Sequence, residues 1–255
     1  MNALELRLVW TGITAAWRKE ILAYFATPLA YLFIAIFLFC VGVFTWDVSG
    51  FFDTGAADLS PFFYWHPWMY LLFMPALSMR LWSEESERGT RELLLSLPVS
   101  LPGLVIGKLL AAWTVAGVAL LFTLPWWLAV NYLGPADNSA IILSYFVSWI
   151  MALAYLSLGS VVSALTTSSV IAFVLGTVGG FLLTAAGWPL VTSNISALFG
   201  PIAADLVAQF SFLTHFETAQ RGVLELRSVV YFLSFVAIMV AANTLLIAYR
   251  RSGRR

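Results

Sequence analysis

Long uncharged apolar runs, separated by short charged or turn-forming segments, dominate the sequence. A helix needs about 20 mostly apolar residues to cross a bilayer. Residues 138–204 contain no charged residue and are too long for one span, so we divide this stretch at residues 166–169. The pattern then predicts an all-α, polytopic membrane protein, a single transmembrane domain over residues 1–255. Its six predicted spans are 29–46, 62–81, 105–132, 141–165, 170–190 and 229–248.

The residues before the first span form a separate element. Leu4, Leu8 and Ile13 recur at helical spacing, with Arg7 and Arg18 among the polar residues between such positions. This pattern is typical of an amphipathic helix that lies in the membrane interface. We therefore predict an interfacial helix over residues 1–27, with a disordered basic leader as the alternative.

The distribution of Lys and Arg predicts the orientation. Six spans place both termini on one side, and the segments on that side hold all 13 Lys and Arg residues except Arg221 and Arg227. Positive residues concentrate in cytoplasmic loops. Both termini are therefore predicted to be cytoplasmic, in a bacterial inner membrane. The predicted inner loop at 166–169 is the weak point, since it has no Lys or Arg.

A charged block follows the second predicted span. Six of the nine residues from 84 to 92 are charged. Gly89 suits a left-handed helix end, Thr90 suits the N-cap of a new helix, and Glu92 would lie in the first turn of that helix. We predict a charged helix end, a tight corner and a short amphipathic helix that ends at Pro98. A plain solvated loop is the alternative.

The composition limits the classes of function. Hydrophobic residues make up 61% of the chain and charged residues 10%, whereas soluble domains average about 45–50% and about 25%. The net charge is zero and Cys40 is the only cysteine. Nothing therefore points to a nucleic-acid partner, an internal disulfide or a cysteine metal site.

The sequence contains no motor of its own. The nearest approach to a P-loop, residues 103–109, has only three residues between Gly103 and Gly107, and Leu109 stands where the motif needs Ser or Thr. An active transporter of this sequence would therefore need a partner that hydrolyses ATP. A non-transporting membrane scaffold is a further alternative.

Two other classes of membrane protein are rivals. An ion-coupled carrier often keeps ionisable residues within its spans, and the interiors of the predicted spans show none. An intramembrane hydrolase that uses Glu-Glu-x-x-x-Arg would need Arg where Gly89 stands, and the two histidines, His66 and His215, have no metal-ligand partner nearby in sequence. Neither rival is favoured.

Residues 84–100, followed by Gly107 and Lys108, resemble the signature of ABC-2 type permeases. The resemblance is closest to the gliding-motility branch, and the stretches 212–217, 221–224 and 230–235 also fit that branch. It covers nearly the whole chain. One departure is Arg91, where Leu is common in the family.

The resemblance implies how the parts work. Two permease copies, identical or different, would pair on two ATP-binding cassette subunits that bind the ATP and Mg, and an accessory membrane or periplasmic subunit can join them. This chain would carry no cofactor, metal or catalytic residue. Residues 82–98 would be the coupling segment, with the interfacial helix beside it, and residues 191–227 would form outer helices that partly re-enter the membrane. The residues expected to contact the ATPase are Glu84, Glu85, Glu87, Arg88, Gly89, Thr90, Arg91 and Glu92.

Small residues in the fourth and fifth predicted spans indicate helix packing. Gly159 and Ser163 form one small pair, and Gly176 and Gly180 form a second at the same spacing. Small residues let helix backbones approach closely in lipid. We predict that these faces pack within the subunit, with a contact between subunits as the alternative.

Overall fold

The computed structural model describes residues 3–51, 57–91, 94 and 99–252, of which residues 3–6, 8 and 252 by their backbone only. All regular structure within these residues is helical. The helices are α1 (Ala3–Ala26), α2 (Pro28–Val43) with a π-helical end (Phe44–Val48), α3 (Ser60–Tyr64), α4 (His66–Ser78), α5 (Arg80–Glu87), α6 (Leu101–Leu121), α7 (Leu124–Leu133), α8 (Asn138–Leu165), α9 (Ser169–Ala185), α10 (Pro189–Phe199), α11 (Pro201–Ala208), α12 (Phe212–Gln220) and α13 (Leu226–Ser252).

Several of these helices are long and apolar enough to cross a membrane. Four such segments occur in the described part of the chain: Pro28–Val48, Leu101–Leu133, Asn138–Leu165 and Leu226–Arg251. The pair α9 and α10 is a fifth candidate, bent by 67° at the break between them. The chain is therefore an all-helical protein of the polytopic membrane type, and the predicted count of six spans is not confirmed.

The segment predicted as the second span consists of three short helices. Pro67 and Pro75 have no backbone N–H and cannot donate a helical hydrogen bond, and the longest unbroken helix there, α4, has 13 residues. The joints at Trp65 and Met79 nevertheless keep right-handed helical dihedral angles. The backbone from residue 60 to residue 87 is therefore a nearly continuous helical run.

Helix α8 is the centre of the bundle. It packs against α4, α6, α9, α12 and α13. Polar side chains join it to its neighbours within the apolar interior: the Tyr70 hydroxyl lies 2.7 Å from Ser148 Oγ, and Asn243 Nδ2 donates to Ser160 Oγ at 2.7 Å. Such interhelical hydrogen bonds help to fix helix pairs that lipid surrounds.

Helices α1 and α6 approach each other through small residues. A Cβ atom on Gly103 would lie 2.7 Å from the Val9 carbonyl oxygen, and one on Gly107 would lie 2.6 Å from the Cβ of Ala16. A Cβ atom on Gly103 would also lie 3.4 Å from the Cα of Gly12, in van der Waals contact. The glycines of the rejected P-loop therefore form a helix-packing face, with Gly12 and Ala16 as its counterpart on α1.

Two breaks divide the remaining long segments. The run that holds the third predicted span is interrupted at Phe122 and Thr123, just before Pro125, and continues as α7. Helices α10 and α11 pack mainly on each other, and α10 has no buried residue. They occupy part of the stretch 191–227 that the resemblance assigns to outer helices.

Candidate functional site

The charged block lies at one end of the bundle. This end consists of α5, the corner at residues 88–91 and the parts of α1, α6, α8, α9 and α13 that contact them, and we call it the charged end. Helix α5 ends at Glu87, and Gly89 follows with a φ of +68°, in the left-handed region that glycine adopts without steric cost. The Leu94 amide donates to the Thr90 carbonyl oxygen at 3.1 Å, which is the four-residue spacing of an α-helical hydrogen bond.

Glu84 forms ion pairs with two arginines, one in α5 and one just after it. Arg80 donates from Nε to Glu84 Oε2 at 2.8 Å and from Nη2 to Oε1 at 2.9 Å, and Arg88 Nη2 lies 2.5 Å from Oε1. Burial raises the pKa of the Glu84 carboxyl, but the hydrogen bonds and charges of Arg80, together with the charge of Arg88, outweigh it. The net result is a lowered pKa, which keeps Glu84 ionised.

A buried lysine links three helices at the charged end. Lys108 is 2% exposed, and its Nζ donates to Glu20 Oε1 at 2.7 Å and to Glu85 Oε1 at 2.8 Å. Its Nζ also lies 5.1 Å from the ring centroid of Trp82, a cation–π distance. Lys19 reaches the same Glu85 oxygen at 3.4 Å. Helices α1, α5 and α6 are therefore joined by one group of paired charges.

A second set of contacts joins the corner to the turn between α8 and α9. Glu87 Oε1 accepts the Ser169 N–H at 2.6 Å, and Arg91 Nη2 donates to the Ala164 carbonyl oxygen at 3.2 Å. Arg250, at the end of α13, donates to the Leu165 carbonyl oxygen at 2.9 Å. Charged side chains from other segments therefore contact this turn, which has no charge of its own.

The four predicted packing residues all contact other helical segments of this chain. Ser163 Oγ donates to the Met79 carbonyl oxygen at 2.7 Å and accepts the N–H groups of Trp82 and Ser83 at 3.0 and 3.1 Å. The three glycines also lie close to their neighbours. A Cβ atom added to Gly159, Gly176 or Gly180 would lie 3.3 Å or less from Ser78, Pro75 or Tyr155, respectively. The partners of these residues in the structure are α4, α5 and α8.

The predicted contact residues divide into two groups in the structure. Glu87, Arg88, Gly89 and Thr90 are exposed, whereas Glu84, Glu85 and Arg91 are partly buried. Glu92 lies outside the described residues, as do residues 93 and 95–98 of the predicted short helix. Glu85 and Glu87 both bond to other helices, so their carboxylates support the fold of this chain whatever else they contact.

Sequence reasoning overlooked the roles of Lys108 and Glu20. In the sequence, Lys108 stands out only as part of the ABC-2 signature and as one of the charges on the predicted inner side. Its position carried a usable indication, because a lysine among apolar residues needs a counter-ion when buried. Glu20 lies on the stripe of α1 that includes Gly12 and Ala16 at four-residue spacing, which places it against α6.

The two histidines have structural hydrogen bonds. His66 is fully buried, with Nδ1 2.9 Å from the Phe62 carbonyl oxygen. His215 lies between Ser228 Oγ and the Gln209 carbonyl oxygen at 3.2 and 3.0 Å. Among the residues that the structure describes, no group of three or more His, Cys, Asp or Glu side chains could hold a metal ion.

Comparison with known proteins identifies the family. The family described as ABC-2 family transporter protein matches residues 66–252, which include α5, the corner and every later helix. The chain belongs to this family. The ABC-2 assignment from the sequence is thereby confirmed, while the gliding-motility branch stays a prediction. No curated protein matches the chain.

Membership of the ABC-2 family makes the chain a membrane component of a transporter. Such a component normally works with an ATP-binding cassette subunit, which implies that the ATPase activity lies in a partner chain. The apolar helices and the family together suggest a multi-pass membrane protein. The N-terminal 65 residues, including α1 and α2, lie before the matched region.

Proposed function

We propose that this ABC-2 protein is the permease subunit of an ABC transporter and couples ATP hydrolysis in a partner subunit to export or to mechanical work across the inner membrane. The observation that carries the proposal is the exposed corner together with the last residue of α5, Glu87–Thr90. Glu85 of the same helix bonds to α1 and α6, and Glu87 bonds to α9. A partner that displaces this corner would displace several helices together.

The proposed layout has six spans with both termini in the cytoplasm. The second span is the helical run from residue 60 to residue 81, which continues through the joints at Trp65 and Met79. The fifth is α9, with α10 and α11 as a re-entrant pair on the outer side. The charged end then faces the cytoplasm and the ATPase, and two permease copies pair in the membrane.

Gly89 offers the sharpest test of coupling. Proline requires a φ near −65°, so Gly89→Pro cannot keep the corner at +68°, and it also removes the N–H that donates to the Ser86 carbonyl oxygen at 3.2 Å. A Cβ atom at this position has no neighbour within 4 Å, so no side chain is displaced by it. We expect Gly89→Pro to insert and to fold, and to lose stimulation of the partner ATPase by the permease. Wild-type stimulation in this variant would contradict the assigned role of the corner.

Gly200 provides a matched control. It also has a positive φ, +88°, with no neighbour around an added Cβ, and its N–H donates to a preceding helical carbonyl as that of Gly89 does. Gly200→Pro places the same backbone change between α10 and α11, away from the charged end. We expect ATPase stimulation to persist in this variant.

Purification from mild detergent tests the class of protein. We expect an ATP-binding cassette subunit to accompany the permease. Isolation of the chain as a fully active carrier without any nucleotide-hydrolysing companion would refute the proposed function.

A further inference from the structure

We propose that Glu87 and Arg91 are positioning residues that transmit movement of the corner to the α8–α9 turn, so that α9 moves with the coupling segment. This inference rests on the proposed permease function and reassigns two residues that were expected to contact the ATPase. Chain connectivity joins the corner to α5 and α6. Only contacts between distant residues can join it to α8 and α9, which begin about 50 and about 80 residues later.

The charges of the two residues match the helix ends that they contact. Glu87 accepts the Ser169 N–H in the first turn of α9, and Arg91 donates to the Ala164 carbonyl in the last turn of α8. A helix carries partial positive charge at its N-terminus and partial negative charge at its C-terminus. An anion and a cation on one short segment therefore bind the two sides of one turn, each with the favourable sign.

Neutral contacts reinforce this connection. The Ser83 hydroxyl lies 2.9 Å from the Ser169 hydroxyl. Ser163 contacts the Met79 carbonyl and two amides of α5, as described above. Main-chain groups of α5 are thus bonded directly to α8, and both the hydroxyl and the amide of Ser169 are bonded to α5. The turn and α5 have several independent contacts and should move as one body.

The consequence concerns α9, which has a largely exposed apolar face. Val170, Ile171 and Val174 are 71%, 53% and 51% exposed. This helix packs on α8 and α4, and its first residue is the one that Glu87 binds. Displacement of the corner by the ATPase would therefore shift the N-terminal end of α9 relative to its surroundings in the membrane.

Hydrogen exchange of the full chain in detergent tests the contact without any partner. Charge-assisted hydrogen bonds contribute about 1.5–3 kcal/mol, which corresponds to about tenfold or more in an opening equilibrium. Glu87→Ala should therefore accelerate exchange of the Ser169 amide about tenfold, whereas Glu87→Gln, which keeps an acceptor oxygen, should retain most of the protection. The matched control is Glu84→Ala on the same helix, which should leave the Ser169 amide unchanged. Equal exchange in Glu87→Ala and Glu84→Ala would overturn the inference.

A probe on α9 tests transmission in the complex. A spin label is attached at Val170→Cys in a Cys40→Ala background, and its spectrum is recorded with the co-purified ATPase present. Addition of Mg-ATP should change this spectrum, because the N-terminal end of α9 moves. Glu87→Ala should reduce this change by at least about half, and Glu87→Gln should restore it. If the spectrum does not change although the ATPase activity is stimulated, the inference is overturned and the proposed function still stands. Absence of any ATPase partner would overturn both, even if the exchange result showed the contact itself.

Discussion

Replacement of Lys108 by methionine tests the buried charge group at its centre. Methionine keeps most of the apolar stem and removes the ammonium group. The carboxylates of Glu20 and Glu85, whose side chains are only 16% and 12% exposed, then face each other across the space left by Nζ. We expect Lys108→Met to be strongly destabilising for this reason.

The structure sets the magnitude. Removal of one partner from a buried ion pair costs about 3–5 kcal/mol, because a charge is left uncompensated. Lys19 lies 3.8 Å from Glu20 and 3.4 Å from Glu85, and it offsets part of this cost. We therefore expect the lower end, about 3 kcal/mol. Lys19→Met is the control, and because Lys19 is 59% exposed its loss should cost less than about 1 kcal/mol.

Reversible unfolding in mixed micelles, followed by circular dichroism, measures both variants. Neutralisation of the two partners supplies a second comparison: Lys108→Met combined with Glu20→Gln and Glu85→Gln should recover most of the loss, because no buried charge remains. If Lys108→Met costs no more than Lys19→Met, or if the triple variant recovers nothing, uncompensated charge is not the cause and the reasoning is refuted.

Three further predictions concern packing, pH and topology. Gly107→Leu should cost about 2 kcal/mol in the same assay, because its Cβ would meet that of Ala16 at 2.6 Å; an unchanged midpoint would contradict the close approach of α1 and α6. The pKa of Glu84 is lowered from its ordinary 4.5, so its ionised form contributes stability above that pH and loses it as the pH falls through the lowered value; Glu84→Gln should flatten the acid limb of the stability profile, and an unaltered limb would contradict this. Cysteine labelling in a cysteine-free background should find Asp137→Cys outside and Ser252→Cys inside; labelling of Asp137→Cys only from the cytoplasm would refute the proposed layout.

The sequence predicted the helical class and the family because both depend on features that are local in the chain. Apolar run length identifies membrane helices, and the residues of the charged block follow one another directly. The left-handed conformation of Gly89 was predictable for the same reason. The bent pair at α9 and α10 and the broken run at 60–87 were harder, since a hydropathy pattern does not show where a helix breaks.

The connections within the charged end could not be predicted, because they depend on contacts between distant residues. Lys108 meets Glu20 and Glu85 across 88 and 23 positions, and Glu87 meets Ser169 across 82. Spacing along the sequence carries no information about such pairs until the helices are placed. From the sequence, the charged block therefore looked like a surface for a partner, whereas several of its charged side chains bond to other helices of this chain.

The contacts of the α8–α9 turn have a consequence for how the protein is made. Arg91 is synthesised 73 residues before the carbonyl it caps, and Arg250 follows its own carbonyl by 85 residues. The hairpin thus leaves the ribosome without a positive loop to orient it. Its insertion must follow the direction set by the earlier helices, and its second cation becomes available only after α13 has been synthesised. A nascent chain that stops before α13 would hold this hairpin less firmly than the finished protein does.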